Sequence, residues 1–552
     1  MIESTLLLVM ATQQAPPIVD VGGQGSLMGT VSALDASVAL FRGVPYAEPP
    51  MGALRFQPPQ PHKPWGTAIL DATAFRAICL QPDPSTKPQM SESCLYLNIA
   101  SPVSVLGGKG PKLPVMVWIH GGAYKTGFSN DFSPDVAVTA SSGTVLAVSF
   151  NYRLGIFGFL GSEQLSSRAF DSSSGNWGIA DQRAALAWVR AHIADFGGDP
   201  DDVTIWGESA GGNSVINHLA QERSFPFYAK VIIESGAYHP GAISMEQAQA
   251  TYAKALQLTA CASLECLLAM TGPDLGSRTS QLNVQSSAYE GGWFPVVDGV
   301  ALNATPTDLI AAGQYSKAAK VLIGSNRDED SLFWMDPQTY VMAEADFDRR
   351  MTAWLDFTDE ELPSLKAIYA NQSSGYPYPS GHAESPFSEW WWAAMRVGTD
   401  HVPGAGACGV RWLAKLLVRG GSQAVYGYQF AYPTQAAPYS GWLVPHTAEI
   451  PYVWGNFAAL LPGAEAILAH WAVAFWINFA RFGDPNKGAA VPIAWPTYEA
   501  DALVRFEATA APVESSEPGS MVVVQTGLRK SACDYQEQRY EDGRQRRRRR
   551  PA

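Results

Sequence analysis

Short apolar runs rich in branched residues recur along the chain, each bounded by Gly, Asn or Ser. The runs span residues 115–119, 145–150, 203–206, 231–234 and 321–324. Their length and composition are typical of buried parallel strands. Helical periodicity lies between them, as at 181–196, where Leu186, Val189 and Ile193 share one face. Strands alternating with helices predict an α/β fold with a mostly parallel sheet and crossover helices.

The domain organisation follows from the same pattern. Residues 19–538 contain no internal repeat and no long linker, so we predict a single domain there. Residues 1–18 include a short apolar run that resembles the stub of a signal peptide, although Glu3 stands where a basic residue is expected and a frayed start explains the run equally well. Residues 539–552 end in an arginine run, which we expect to be a disordered basic tail rather than a nuclear-import or membrane-surface patch.

Charge and hydropathy limit the partners. The formal net charge of the 552 residues is -13, and nucleic acid is not expected because phosphate binding needs a basic face. The longest apolar stretch, 467–479, contains His470, Trp476 and Asn478. It is shorter than a bilayer span, so we predict a buried helix and no transmembrane segment. The oligomeric state is left open.

The cysteine pattern bears on the compartment. The six cysteines are Cys79, Cys94, Cys261, Cys266, Cys408 and Cys533. They show no CxxC and no Cys/His spacing of the zinc type, so no metal site is predicted. An even count fits disulfides in an oxidising compartment, with free core thiols as the alternative. Asn303 and Asn371 begin candidate glycosylation sequons. These features favour a secreted or secretory-pathway glycoprotein.

A nucleophile motif follows the predicted strand at 203–206. The segment Gly207-Glu208-Ser209-Ala210-Gly211-Gly212 matches G-x-S-x-G, in which a serine lies on a sharp strand-to-helix turn. Small flanking residues let this strained turn pass close to its neighbours. The helix-like stretch 213–219 follows, and a helix N-terminus favours developing negative charge. Ser209 is therefore the predicted nucleophile.

A glycine-rich segment, His120-Gly121-Gly122-Ala123-Tyr124, follows the predicted strand at 115–119. Such a loop lets backbone N–H groups converge on the oxygen of a tetrahedral intermediate. We expect the N–H groups of Gly122, Ala123 and Ala210 to form this oxyanion hole. An ordinary tight turn is the alternative, but two glycine motifs at matching positions of the sheet favour the oxyanion hole.

A serine nucleophile needs a base that is oriented by an acid. In α/β-hydrolases the chain order is Ser, then Asp or Glu, then His. The histidines downstream of Ser209 are His239, His401, His446 and His470. The acidic residues after the strand at 321–324 are Asp328, Glu329 and Asp330. Composition does not choose among them.

Longer motifs resemble the type-B carboxylesterase/lipase family, which includes the cholinesterases. They extend over nearly the whole chain, from about Gly29 to Cys533. The motifs are FRGVPYAEPP at 41–50, SESCLYLN at 91–98, NYR at 151–153, GNWGIADQ at 175–182 and FGGDP at 196–200. The resemblance implies the α/β-hydrolase fold, with helices on both faces of a large sheet. It also implies a serine carboxylesterase that works through an acyl-enzyme without metal or organic cofactor.

The resemblance selects the remaining members of a catalytic triad. It implies Glu329 as the acid and His446 as the base. The sequence departs from the family at Asp330 and Thr447, where glycine is usual. The first departure places a second carboxylate beside the acid, and the second stiffens the loop after the histidine.

The resemblance also implies structural pairings and supporting residues. The implied disulfides are Cys79–Cys94, Cys261–Cys266 and Cys408–Cys533. The implied buried ion pairs are Arg55–Glu92 and Arg153–Asp181. Glu208, beside the predicted nucleophile, and Ser235 resemble residues that organise the pocket.

Other departures concern the substrate, a small-molecule ester. Cholinesterases bind quaternary ammonium through a Trp in the first disulfide loop, but no Trp lies between Trp65 and Trp118 here. Cys79 and Cys94 enclose 14 residues, too few for the lid of the related lipases. Residues 291–293, Gly-Gly-Trp, stand where the family builds its acyl pocket and suggest a roomy one. We therefore expect short-to-medium acyl esters rather than choline esters.

Two other functions compete with this hypothesis. A triacylglycerol lipase or sterol esterase shares the motifs, and interfacial activation would distinguish it. A non-catalytic adhesion protein of the neuroligin type shares the fold but typically lacks the nucleophile. Ser209, Glu329 and His446 are all present, which favours the esterase.

Overall fold

The chain is described by a computed structural model over residues 15–82, 89–239, 241–283, 292–333, 340–370, 387–402, 404–434, 443–507 and 521–549. The apolar run at residues 6–11, Asn371 and Gly291 lie outside these ranges. In chain order the strands are β1 Ile18–Val21, β2 Gly25–Met28, β3 Thr30–Val31, β4 Val38–Pro45, β5 Ile69–Asp71, β6 Ile78–Cys79, β7 Met90–Ser91, β8 Tyr96–Pro102, β9 Leu113–Ile119, β10 Leu146–Phe150, β11 Gly198–Glu208, β12 Lys230–Glu234, β13 Ile243–Ser244, β14 Val296–Val297, β15 Lys320–Asn326, β16 Val425–Ala431, β17 Ala502–Glu507 and β18 Val522–Thr526.

Helices occupy most of the connections between these strands. They are α1 Pro134–Ala140, α2 Gly155–Phe159, α3 Glu163–Arg168, α4 Trp177–His192, α5 Ala210–Ala220, α6 Met245–Thr259, α7 Leu264–Ala269, α8 Gly272–Arg278, α9 Pro306–Ala311, α10 Glu344–Leu355, α11 Leu362–Tyr369, α12 Glu389–Asp400, α13 Ala407–Arg419, α14 Ile450–Trp454, α15 Ala464–Phe482 and α16 Lys530–Arg549. The stretch 467–479 lies within α15, as predicted. No helix in the described ranges is both long and apolar enough to cross a membrane.

An 11-stranded sheet organises the molecule, in the order β18-β17-β16-β15-β12-β11-β9-β10-β8-β4-β3. Its centre, from β10 through β9, β11, β12, β15 and β16 to β17, is parallel, and the strands outside it pair antiparallel. The five predicted strands overlap β9, β10, β11, β12 and β15. The predicted α/β fold with a mostly parallel sheet is therefore confirmed.

Two hydrophobic cores cover the faces of this sheet. Alternate residues of each central strand enter opposite cores: Val117 and Ile205 lie in one, Trp118 and Trp206 in the other. Because both faces are buried, these strands read as continuous apolar runs rather than as alternating patterns. This explains why the central strands were recognisable from the sequence.

Covalent and ionic links predicted from the family resemblance are present. Cys79–Cys94, Cys261–Cys266 and Cys408–Cys533 form disulfides. Arg55 Nε lies 2.6 Å from Glu92 Oε2, and Arg153 Nη2 lies 2.7 Å from Asp181 Oδ1. Both ion pairs are buried.

The end of the chain differs from its prediction. Residues 539–549, expected to be part of a disordered tail, continue helix α16. Arg411 Nη1 contacts Glu537 at 2.8 Å, Trp412 donates its indole N–H to Glu541 at 2.9 Å, and Tyr540 is buried. The prediction of a disordered tail rested on the arginine run. The acidic and aromatic residues before that run pack the helix against α13. The predicted boundary at residue 538 therefore cuts a docked helix.

Candidate active site

Four neighbouring parallel strands, β9, β11, β12 and β15, end at the same edge of the sheet. His120 follows β9, Ser209 follows β11, Ser235 follows β12, and Glu329 lies three residues after β15. The carboxyl ends of parallel strands are where α/β folds assemble their sites. The topology therefore gathers the glycine-rich loop, the predicted nucleophile and the predicted acid at one place.

Ser209 occupies a strained turn between β11 and α5. Its backbone has φ 59° and ψ -123°, which few non-glycine residues adopt. Its N–H donates to the Glu234 carbonyl at 3.0 Å. A side chain on Gly211 would place its Cβ only 2.0 Å from the Ile119 carbonyl oxygen. The G-x-S-x-G glycine after the serine is thus required by the close approach of β9.

The glycine-rich loop packs directly against Ser209, the predicted nucleophile. A Cβ on Gly121 would lie 3.0 Å from the Ser209 Cβ and 2.9 Å from Glu208 Oε2. The next residues, Gly122 and Ala123, have φ of 105° and 54°, so the backbone leaves the extended conformation of β9 at this point. Ala210 begins α5, where N–H groups have no intrahelical acceptor. Of the predicted oxyanion-hole residues, Ala210 directly follows Ser209 and begins α5, while Gly122 and Ala123 follow Gly121, which packs against Ser209.

His446 and Glu329 meet through a short hydrogen bond. His446 Nδ1 lies 2.6 Å from Glu329 Oε2, and both side chains are buried. Glu329 Oε1 accepts from the Ser235 hydroxyl at 2.6 Å and from the Asn326 backbone N–H at 2.6 Å. A carboxylate held by two other donors fixes the direction of its bond to the imidazole. Ser235 thus contacts Glu329, the predicted acid.

The three consecutive acidic residues have separate roles. Glu329 contacts the imidazole of His446. Asp328 contacts the guanidinium groups of Arg327 and Arg396. Asp330 lies over α12, where its Oδ2 occupies the space that a Cβ on Gly398 would need. The carboxylate that departs from the family pattern is therefore accommodated by a glycine on the neighbouring helix.

The other downstream histidines lie elsewhere. His239 Nε2 contacts the Gly409 carbonyl at 3.2 Å, and His401 Nε2 is 3.4 Å from Arg539 Nη1. His470 is exposed and bonds the Ala466 carbonyl of its own helix at 2.7 Å. Of the four, the structure brings His446 to the carboxylates at the strand ends.

Glu208 approaches the second nitrogen of the imidazole. Its Oε1 lies 3.1 Å from His446 Nε2. Burial raises the pKa of Glu208 well above its ordinary value, and the neighbouring His446 only partly offsets this. Burial alone lowers the pKa of His446, but the charges of Glu208 and Glu329 outweigh it, so that this pKa is raised. The carboxylates of Glu208 and Glu329 therefore both favour the protonated form of the imidazole.

Asn326, Glu449 and Tyr238 also lie at the site, and none of them was predicted to do so from the sequence. Burial raises the pKa of Glu449 to about 7, and its carboxylate accepts from the side-chain amide of Asn326. Burial raises the pKa of Tyr238, and the nearby carboxylates of Glu208 and Glu329 raise it further. Tyr238 follows Ser235 by three residues, and Glu449 follows His446 by three. Their closeness to assigned residues was the only signal in the sequence.

Comparison with known proteins decides the family. A sequence model described as "Carboxylesterase family" matches residues 15–535. The chain belongs to the carboxylesterase family. It is an enzyme of the carboxylic ester hydrolase class, and this carboxylesterase has the α/β-hydrolase fold.

Similar proteins come from bacteria and mammals. The para-nitrobenzyl esterase of Bacillus subtilis (strain 168) is 33% identical over 493 residues, which cover 86% of this chain and 91% of that protein. Carboxylesterase 1F of Mus musculus is 32% identical over 547 residues, covering 90% and 92%. The crystal structure of the Geobacillus stearothermophilus carboxylesterase EST55 matches with a TM-score of 0.76 and 29% identity, covering 93% of this chain and 99% of that one.

Proposed function

We propose that this carboxylesterase cleaves small-molecule esters through an acyl-enzyme on Ser209, with His446 as general base and Glu329 as the orienting acid. The observation that carries the proposal is the 2.6 Å bond between His446 Nδ1 and Glu329 Oε2 at the sheet edge where Ser209 occupies its strained turn. A base that is itself oriented by a carboxylate is what a serine nucleophile requires.

The reaction proceeds in two halves. His446 takes the Ser209 hydroxyl proton as Oγ attacks the ester carbonyl, and then gives that proton to the departing alkoxide, which leaves as the alcohol. Water next attacks the acyl-enzyme and loses a proton to His446, which returns it to Ser209 as the acid product leaves. Glu329 stays ionised throughout and stabilises the imidazolium. No cofactor takes part in these steps.

Backbone N–H groups of Gly122, Ala123 and Ala210 form the proposed oxyanion hole. The left-handed backbone at Gly122 and Ala123 and the helix start at Ala210 support this assignment. Losing one such donor typically costs about 3–4 kcal/mol of transition-state stabilisation. The hole therefore supplies the electrostatic part of catalysis, while His446 supplies proton transfer.

Short-to-medium acyl esters are the proposed substrates. The loop between Cys79 and Cys94 has a sequence separation of only 15, which is short for a lid that covers an active site. Phe294, beside the proposed acyl pocket at 291–293, has its ring 6.3 Å from Tyr124 of the glycine-rich loop. This contact supports an acyl pocket next to the oxyanion hole. Cleavage of long-chain substrates only above their solubility limit would favour the lipase or sterol esterase instead.

The proposed location is the secretory pathway or the outside of the cell. Three disulfides support it, because such bonds persist in oxidising compartments. Asn303 is exposed, as a glycosylated asparagine must be. A mass shift on glycosidase treatment of protein from a eukaryotic secretory host would test the second point.

Hydrolysis of p-nitrophenyl acetate, butyrate and palmitate by the wild type and Ser209→Ala tests the proposal. We expect rapid turnover of the acetate and butyrate and its loss in the variant. Equal rates in the two proteins would remove Ser209 as the nucleophile and favour the non-catalytic, adhesion-type function. A preference for palmitate would keep the nucleophile and overturn the chain-length assignment.

A further inference from the structure

A second acidic residue, Asp328, forms two hydrogen bonds to the loop that carries His446. Asp328, the residue before Glu329, is fully buried. Its Oδ2 accepts the backbone N–H of Val444 at 3.1 Å, and its own N–H donates to the Val444 carbonyl at 3.0 Å. Val444 lies two residues before His446. Asp328 therefore holds both polar groups of one residue in the loop.

The backbone of this loop is strained on both sides of Val444. Leu443 has φ 67° and Thr447 has φ 75°, in the left-handed region that side chains with a Cβ disfavour. Such conformations persist only where surrounding contacts over-determine them. The backbone of His446 adds one more contact, since its N–H donates to the Glu329 carbonyl at 3.3 Å. The position of the imidazole thus depends on how the 328–329 segment holds the loop.

Two guanidinium groups hold Asp328 in turn. Arg327 Nε lies 3.0 Å from Oδ2, and Arg396 Nη1 lies 3.1 Å from Oδ1. Arg396 belongs to α12, is buried, and also donates to the Arg327 carbonyl at 3.3 Å. Burial lowers the pKa of Arg396 to about 10, so it remains a cation at neutral pH. The His446 loop is thereby connected through Asp328 to a rigid helix.

We propose that Asp328 is a positioning residue, which fixes the 443–447 loop so that His446 Nδ1 meets Glu329, with Arg396 anchoring it to α12. The proposal rests on the catalytic role proposed for His446. Asp328 does not touch the reacting atoms. Its removal lets the imidazole shift, and a displacement of about 1 Å in a catalytic group can cost about 100-fold in rate.

Asp400 offers a matched control on the same helix. It is buried, and it pairs with Arg529 Nε at 2.8 Å. Each variant removes a buried carboxylate that pairs with an arginine. Asp328→Ala removes the partner of Arg396, and Asp400→Ala removes the partner of Arg529. Within the described ranges, Asp328 accepts the Val444 N–H of the 443–447 loop, whereas Asp400 accepts from Arg529. A difference between the variants therefore reports the loop contact rather than the loss of a buried ion pair.

The experiment combines steady-state kinetics on p-nitrophenyl butyrate with the far-downfield proton resonance of the imidazole Nδ1–H. For Asp328→Ala we expect kcat to fall about 100-fold, KM to change less than about threefold, and the resonance to disappear or move upfield. Asp328→Asn keeps an acceptor for the Val444 N–H and should recover most of the lost kcat. Asp400→Ala should keep the resonance and stay within about threefold of wild-type kcat.

Two results would overturn the proposal: an unchanged resonance and kcat in Asp328→Ala, or equal losses in Asp400→Ala. If Asp328→Ala does not fold, the same comparison is made on an Arg396→Gln background, which removes one of the two guanidinium groups that face Asp328. Failure of the proposed function looks different, because Ser209→Ala would then hydrolyse the ester as fast as the wild type. The resonance would still test the Asp328 contact, since it reports the bond to Glu329 rather than turnover.

Discussion

Ser209 lies in a turn whose neighbouring glycines have no room for a Cβ atom. Glu329 and His446 lie instead on loops that side-chain hydrogen bonds hold in place. We call the first region, residues 120–124 and 207–212, the elbow half of the site. The second, residues 326–331 and 443–449, is the acid–base half. In the elbow half a Cβ on Gly211 would come within 2.0 Å of a carbonyl oxygen. In the acid–base half, Ser235, Asn326 and Asp328 supply the contacts.

This difference shows two ways of fixing catalytic geometry. Backbone crowding requires small residues at set positions, so the elbow half carries a recognisable motif. Hydrogen bonds between distant loops require only compatible partners, and His446 and Glu329 are 117 residues apart. The acid–base half therefore leaves little trace in any local stretch of sequence.

The largest expected effect comes from removing the base. His446→Ala should lower kcat on p-nitrophenyl butyrate by about 10⁶-fold, because the nucleophile then has no proton acceptor. The double variant Ser209→Ala/His446→Ala should be no slower than either single variant, since the two residues act as a unit. Additive losses in steady-state kinetics would contradict this coupling.

The acid should matter less than the base. Glu329→Gln keeps the shape but loses the charge that stabilises the imidazolium, and we expect kcat to fall by about 10⁴-fold. Stopped assays at high enzyme concentration can measure such rates. A loss smaller than tenfold would mean that Glu208 or Glu449, both near the imidazole, serves as the acid instead.

Because the elbow half is crowded, adding a single methyl group there should lower both activity and stability. Gly211→Ala should lower kcat by about 100-fold through displacement of Ser209 and destabilise the protein by about 1–3 kcal/mol through overpacking. Gly276→Ala on α8 is the control, because its Cβ would meet only Phe157 at 3.6 Å. Thermal melts and kinetics of both variants test this, and equal behaviour would show that crowding at Ile119 is unimportant.

Glu208 belongs to the elbow half and lies beside His446 of the acid–base half. Replacing it should have the smallest effect, a change in the pH dependence of kcat/KM. Its charge helps to raise the pKa of His446, so Glu208→Gln should lower that pKa. Neutral imidazole then persists at lower pH, and the acid limb of kcat/KM shifts toward lower pH. Profiles between about pH 5 and pH 10 would show it. An acid limb that stays in place or moves upward would contradict the assigned interaction.

The central strands could be predicted from sequence because burial on both faces gives unbroken apolar runs. Strand β16 escaped this criterion although it is wholly buried. It contains Gly427, whose Cβ would strike Tyr498, and Gln429, which accepts from Arg505 at 3.1 Å. Polar and glycine positions inside a buried strand depend on tertiary partners, so they break the pattern that local reasoning uses.

The site was predictable to different depths in its two halves. Ser209 and the glycine-rich loop followed from local motifs, whereas Glu329 and His446 were selected only by family resemblance. Asp328 was predicted only as one of three candidates for the acid, because its contact with Val444, 116 residues along the chain, cannot be read from the sequence. The docking of α16 was missed for the same reason, since Trp412 and Arg411 on α13 hold it.

Labelling with a fluorophosphonate, followed by peptide mapping, tests the central claim most directly. The proposed mechanism predicts one phosphonyl adduct, located on Ser209, which is absent from Ser209→Ala and forms far more slowly in His446→Ala. An adduct on another residue would contradict it, as would labelling of Ser209 at an unchanged rate in His446→Ala. Either result would mean that the elbow and acid–base halves do not act as one catalytic unit.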